Sequence, residues 1–178
     1  MGQSPTFPEA LDFVGDFFAA PGSVFEKKVT VKGVGSPRDG AVSGGGAIIE
    51  GSTFKEGLVL EDVYYNIQDS EVKNKGMGCE VKAGSSGTIS NSTFESESSS
   101  ALAFGGDGDY NPNIHAYKVT CKTQGQDPAL LISKAKGEVD IAICESQGEV
   151  DMSCSLSTLQ LGHINCKKIG RASCRERV

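Results

Sequence analysis

An eight-residue pattern recurs seven times along the chain, and it restricts the fold more than any other feature of the sequence. The seven segments are VTVKGVGS (29–36), AIIEGSTF (47–54), YNIQDSEV (65–72), GTISNSTF (87–94), IHAYKVTC (114–121), VDIAICES (139–146) and LQLGHINC (159–166). Successive segments start 18 to 27 residues apart. A period of about twenty residues with variable intervals is typical of a solenoid, in which the strands repeat and the loops differ in length.

Apolar or small residues occupy positions one, three, six and eight of the pattern. Alternation, then a two-residue skip, then alternation again predicts a strand, a bend and a second strand, whereas an amphipathic helix needs a period of 3.6. The third position is aliphatic in all seven segments. We therefore expect four residues of this position to be buried in one stack: Ile49, Ile67, Ile89 and Ile141.

A second apolar run precedes most of the later segments. These runs are LVL (58–60), CEV (79–81), ALAF (101–104), ALLI (129–132) and VDMSC (150–154). Together with the two strands of the pattern they give three short strands per coil, which predicts an all-β chain of parallel strands.

This plan resembles the pectate-lyase-like superfamily, whose coils often contain V-x-I-x-N-C-x-F, and GTISNSTF (87–94) is the segment most similar to that motif. The resemblance covers residues 24–166. It implies a single-stranded right-handed parallel β-helix of about seven coils, which we place at 22–168. A fold of this kind does not by itself define an activity.

The two ends of the chain differ from the repeats. Residues 1–21 space Ala10, Leu11, Phe13, Val14, Phe17 and Phe18 as one face of a helix, which predicts an N-terminal amphipathic helix that caps the first coil. Residues 169–178 hold three of the four arginines and resemble a translated sequencing adapter. We interpret them as a non-native tail, which would make the sequence a truncated fragment; a genuine basic tail is the alternative.

Composition limits the partners. The net charge of −6 and the lack of a basic stripe argue against nucleic acid, and no apolar run is long enough to span a membrane. No signal peptide is visible, although the resemblance favours an extracellular or surface location. Cysteines at inward positions predict buried free thiols rather than disulfides.

The longest interval contains the segment GGDGDYNPNIHAY (105–117). Its oxygen-bearing side chains at alternate positions are candidate ligands for Ca²⁺: Asp107, Asp109, Asn111 and Asn113. The same residue types also form tight turns without any metal, so a turn is the alternative.

A candidate ligand-binding patch consists of Glu80, Tyr110, His115 and Tyr117. The first hypothesis for function is a non-catalytic structural or adhesive module that contacts a polysaccharide or another surface glycan. It would belong to a larger surface, secreted or phage-tail-like protein. The second is a truncated polysaccharide lyase or glycoside hydrolase, the activities that the resemblance implies, with carboxylates and a base converging on one substrate. The sequence leaves both open, along with the oligomeric state.

Overall fold

The computed structural model describes residues 4–34, 45–105 and 111–166. Those residues form twenty strands and, within these ranges, no helix. The chain is therefore all-β over its described part, as the alternating pattern predicts.

The strands form three parallel ladders. Ladder 1 contains β2 (Leu11–Val14), β5 (Val29–Lys32), β8 (Leu58–Glu61), β11 (Cys79–Val81), β14 (Leu102–Gly105), β17 (Leu130–Ser133) and β19 (Met152–Ser155). Ladder 2 contains β3 (Phe17–Ala19), β6 (Gly46–Glu50), β9 (Tyr64–Gln68), β12 (Ser86–Ser90) and β15 (Asn113–Tyr117). Ladder 3 contains β1 (Thr6–Phe7), β4 (Val24–Phe25), β7 (Thr53–Phe54), β10 (Glu71–Asn74), β13 (Thr93–Ser96) and β16 (Val119–Thr123). The two long strands β18 (Lys136–Glu145) and β20 (Thr158–Cys166) extend through both ladder 2 and ladder 3.

Up to β15, each strand pairs in parallel with the strand three places further along the chain. Thus β5 pairs with β8, β6 with β9 and β7 with β10. This pairing stacks successive coils as in a solenoid. Ladder 1 has seven strands among the described residues, of which β2 lies in the segment predicted to be a helix. The five apolar runs that precede the repeats contribute the last five strands of ladder 1, as expected.

The core is the inward side of the three ladders. Ile49, Ile67 and Ile89 are in register on β6, β9 and β12, and all three are fully buried. The prediction of an aliphatic stack is confirmed for these residues. It is wrong for Ile141, which is only half-buried and pairs with His163 where β18 passes from ladder 2 to ladder 3.

Two of the seven repeats are displaced from the register that the sequence predicts. The strand of VTVKGVGS lies in ladder 1, where Val29 pairs with Leu58, because alternation alone does not indicate which ladder a strand joins. The segment VDIAICES is shifted by two residues, since Gly137 rather than Val139 pairs with Ile114. A shift of two residues keeps the same side chains inward, so the hydrophobic pattern fits both registers.

The predicted N-terminal helix is wrong, because residues 6–19 form β1, β2 and β3. Strand β3 pairs with β6 and buries Phe17 and Ala19, whereas Phe18 is 65% exposed. Gly15 separates β2 from β3 with a φ of 104°, which a helix does not permit. Apolar residues on both sides of two short strands produce the same spacing as one face of a helix. The segment therefore forms the first turn of the stack and does not cap it.

Buried serines organise the bend between ladders 2 and 3. The backbone N–H of Ser52 donates to Ser70 Oγ at 3.2 Å, and that of Ser70 donates to Ser92 Oγ at 3.2 Å. The residue before each serine is in the left-handed region, as Gly51, Asp69 and Asn91. Glycine, aspartate and asparagine tolerate this conformation better than other residues, so the local sequence fits the bend.

The prediction of buried free thiols is confirmed at three positions and is half right at a fourth, where the thiol is free but not buried. Cys79, Cys121 and Cys144 are buried free thiols, and Cys166 is a partly exposed one. Cys154 on β19 is disulfide-bonded, so the prediction is wrong there. The segment 169–178 lies outside the described residues.

Candidate functional site

A shallow cavity of about 340 Å³ opens on the outer surface of ladder 2, over strands β12, β15 and β18. Outward positions of these parallel strands are in register, so side chains from three successive coils meet there. The polar residues that line it are Thr88, Ser90, His115, Tyr117, Glu138 and Asp140. We call this cavity the ladder 2 site.

A row of polar side chains crosses the middle of the site. Thr88 pairs with His115, and His115 pairs with Glu138 on the next strand. Thr88 Oγ1 donates a hydrogen bond to Asn66 Oδ1 at 2.9 Å, which extends the row by one coil. The row presents a hydroxyl, an imidazole and a carboxylate to one ligand.

Tyr117 provides the aromatic surface of the site. It is the last residue of β15, and its side chain is exposed. The ammonium of Lys118 lies 5.2 Å from the centre of the Tyr117 ring, within the range of a cation–π contact. Lys118 has a φ of 52°, in the left-handed region, and lies at the bend that follows β15. The contact leaves the rest of the ring available for stacking against an apolar face of a ligand.

Glu138 and Asp140 supply the two carboxylates of the site from one strand, β18. Residues two apart on a strand are on the same side and about 6.6 Å apart along it. Asp140 leans towards Gly162 of β20, where any side chain would collide with its carboxylate. Among the described residues neither carboxylate has a lysine or arginine within ion-pair distance, so both are available to a ligand.

Most carboxylates on the strands of the other two ladders are arranged differently, because lysines of the same or neighbouring coils neutralise them. On ladder 3, Lys73 is 2.9 Å from Glu71 and 3.3 Å from Glu95. Hydrogen bonds that the Lys73 ammonium donates to Glu71 and then to Glu95 raise the pKa of Lys73 above its usual value. On ladder 1, Lys32 is 3.1 Å from Glu61. The Lys73–Glu95 and Lys32–Glu61 pairs lie between stacked strands and favour the observed register, although exposed ion pairs contribute little stability.

A larger cavity, of about 590 Å³, opens on ladder 3 over the ion pairs of that ladder. Its lining includes Lys55, Glu71, Lys73 and Glu95, whose charges are already paired with one another or with neighbouring residues. Most of the charged side chains there already have a partner, whereas both carboxylates of the ladder 2 site have none within the described ranges, so the ladder 2 site is the better candidate despite its smaller volume.

The structure separates the predicted ligand-binding patch. His115 and Tyr117 are together in the ladder 2 site. Glu80 is on β11 of ladder 1, where Lys82 lies 3.9 Å away, so it faces a different surface. Tyr110 lies outside the described residues.

Two of the four predicted calcium ligands, Asp107 and Asp109, also lie outside the described residues. Asn113 is exposed at the start of β15, and Asn111 is half-buried just before it. The Asn111 side-chain oxygen is buried and has no hydrogen-bond partner in the described structure. Within the same ranges, no three His, Cys, Asp or Glu side chains are grouped so that they could hold a metal ion.

Thr88, Glu138 and Asp140 are residues of the site that the sequence pattern did not indicate. The signal was present, because Glu138 and Asp140 alternate with apolar residues in GEVDIA and therefore point outward. The predicted repeat VDIAICES, however, starts at Val139. It therefore excludes Glu138, which is the residue that pairs with His115 in the structure.

Comparison of the chain with protein-family models, with curated proteins and with solved structures gives no match. Within the described part of the chain, there is no helix with the length and apolar character needed to cross a membrane.

Proposed function

We propose that this chain is a structural or adhesive module that contacts a glycan through the ladder 2 site. In this proposal the solenoid-like stack is a right-handed parallel β-helix of the pectate-lyase-like class. The module would belong to a larger surface, secreted or phage-tail-like protein. The observation that carries the proposal is the meeting of Tyr117 and His115 with hydroxyls and unpaired carboxylates on one exposed face.

The chemistry of that face suits a sugar. The CH groups of a pyranose can pack on the Tyr117 ring, while its hydroxyls exchange hydrogen bonds with Thr88, His115 and Glu138. The side chains project from paired strands, which hold binding groups more firmly than loops do.

A glycan array followed by calorimetry on the bound glycans tests this proposal. Replacing Tyr117 with alanine should weaken binding by about 1–3 kcal/mol, roughly 5- to 150-fold in Kd, if the ring stacks on the sugar. Tyr64 is a matched control, because it lies on the same ladder and is 44% exposed, against 43% for Tyr117. Tyr64→Ala should leave binding unchanged. Equal losses in both variants, or no glycan bound by the unmutated chain, would contradict the proposal.

A polysaccharide lyase or glycoside hydrolase is the second candidate, and the carboxylate pair favours it. Inverting glycosidases hold two carboxyl groups about 6.5–9.5 Å apart, and the spacing of Glu138 and Asp140 along β18 falls near that range. Release of reducing sugar by the unmutated chain, lost in Glu138→Gln and Asp140→Asn but kept in Glu149→Gln, would establish a glycan-cleaving enzyme. An unsaturated sugar at the new non-reducing end would identify a lyase, and a saturated one a hydrolase. Binding without any release would leave the adhesive module.

A further inference from the structure

Three cysteines occupy one inward position on three consecutive strands of ladder 3. Cys121 on β16 pairs with Cys144 on β18, and Cys144 pairs with Cys166 on β20. Neighbouring strands are about 4.8 Å apart, and disulfide-bonded cysteines have Cα separations of about 4.4–6.8 Å. Each neighbouring pair can therefore be bridged without a large movement of the backbone.

The three thiols are neighbours in one row. Cys144 lies in the middle, with Cys121 on one side and Cys166 on the other. Cys121 and Cys144 are buried, whereas Cys166 is partly exposed at the last described strand. An oxidant from solvent thus reaches this row of thiols through Cys166.

We propose that Cys144 and Cys166 are a disulfide-forming pair that covalently joins the last two described coils of ladder 3. Cys166 is the residue whose thiolate attacks a small disulfide first, and Cys144 is the residue that completes the bond. This inference is independent of the proposed glycan contact, because the pair is inward on ladder 3 and the ladder 2 site is outward.

The reaction is a thiol–disulfide exchange with a small disulfide such as oxidised glutathione. The Cys166 thiolate attacks one sulfur of the reagent, which forms a mixed disulfide and releases one glutathione thiolate. The Cys144 thiolate then attacks the Cys166 sulfur, which forms the protein disulfide and releases the second glutathione. The two protons lost by the cysteines pass to the two released thiolates, so two thiols are oxidised and one disulfide is reduced.

The surroundings keep these thiols protonated and the exchange slow. The hydrogen bond with Cys144, then burial, and then the charges of Cys144 and Asp151 raise the pKa of Cys166. Asp151 is buried, and its carboxylate accepts hydrogen bonds from the backbone N–H of Ser146 at 2.8 Å and from the Ser146 hydroxyl at 3.0 Å. Incubation at about pH 8.5 increases the thiolate fraction and suits the test.

Non-reducing peptide mass spectrometry of the folded chain, after incubation with oxidised glutathione, tests the proposal. The expected product is a linked pair of peptides containing Cys144 and Cys166, together with a rise in Tm of about 5 °C or more. A Cys121–Cys144 link instead, or no link in the folded chain when the urea-unfolded chain does form one, would overturn the proposal.

Three serine variants identify the pair. Cys166→Ser should abolish both the link and the rise in Tm, and its partly exposed position allows it to fold. Cys121→Ser should keep the link, because Cys121 is adjacent to Cys144 but not to Cys166. Cys79→Ser is the control for a buried thiol outside the row, on ladder 1, and it should also keep the link. A rise in Tm that persists in Cys166→Ser would contradict the assignment.

Discussion

At the scale of single residues, the core fits together because large and small side chains occupy neighbouring coils. Tyr65 pairs with Ala47 on one side and with Gly87 on the other. A side chain at Gly87 would collide with the carbonyl and the ring of Tyr65. The Tyr65 hydroxyl donates to the Asn113 carbonyl oxygen at 3.3 Å, two strands away, so this glycine gives the ring the space to cross a coil.

Adjacent residues of β6 test the inward and outward alternation. Ile49 is fully buried, and Ile48 is 49% exposed. Ile49→Ala should lower the free energy of unfolding by about 2–5 kcal/mol, because it leaves a cavity between stacked coils. Ile48→Ala should change it by about 0.5 kcal/mol or less. Urea unfolding of both variants measures the difference, and similar losses would show that β6 has no single buried side.

The buried Cys79 thiol predicts a loss of stability at alkaline pH. Burial, and then the charge of Glu80, raise the pKa of Cys79 far above its usual value of 9.0. Below pH 9 the Cys79 thiol is protonated in both the folded and the unfolded chain, so its full contribution to the free energy of unfolding is present. Above it only the unfolded thiol ionises, and stability falls by about 1.4 kcal/mol per pH unit.

Urea unfolding under reducing conditions at pH 7.5 and at pH 10.5 measures this effect. Cys79→Ala should lose less stability than the unmutated chain as the pH rises, since alanine has no proton to release. An equal loss in the two proteins would show that Cys79 ionises as easily when folded as when unfolded.

At the scale of elements, the sequence predicts strands well and their partners less well. Period-two alternation identifies most strands of ladders 2 and 3 because one side of each faces the core. It fails for residues 10–18, where exposed Val14 and Phe18 complete a helical spacing. It also leaves VDIAICES in two possible registers, although aligning Cys144 with Cys121 and Cys166 would have identified the correct one.

The candidate site is predicted in part for the same reason. His115 and Tyr117 belong to a correctly aligned strand, so the sequence places them on one outward face. Glu138 and Asp140 belong to the displaced strand, and Glu80 belongs to another ladder. Which outward residues meet depends on pairing between coils, and a pattern that records only burial does not contain that information.

The hydrogen bonds of the buried serines lead to a prediction of how much the bend between ladders 2 and 3 contributes to the free energy of unfolding. Ser70→Ala removes the acceptor of the Ser52 N–H at a buried position, so we expect a loss of about 1–3 kcal/mol in the free energy of unfolding. Ser90→Ala is the control, since Ser90 is outward and only partly buried two residues before Ser92. Thermal and urea unfolding check the pair, and a neutral Ser70→Ala would mean that water replaces the lost hydroxyl.

At the scale of the whole molecule, one outward column passes through six consecutive strands of ladder 2. Its members are Ile48, Asn66, Thr88, His115, Glu138 and Gln160. If the coils stack in this register, distance along the column increases by about 4.8 Å for each strand. The distance between two positions of the column therefore reports the number of strands between them, and it depends on every strand pairing in that interval.

Double electron–electron resonance between two spin labels measures that distance directly. Labels attached through noncanonical residues at positions 48 and 160 leave the native cysteines unmodified. Their backbone attachment points should be about 24 Å apart, and those of a second pair at 66 and 138 about 14 Å apart, each with a narrow distribution. Broad distributions, or separations that do not increase with the number of intervening strands, would contradict the stacked parallel coils.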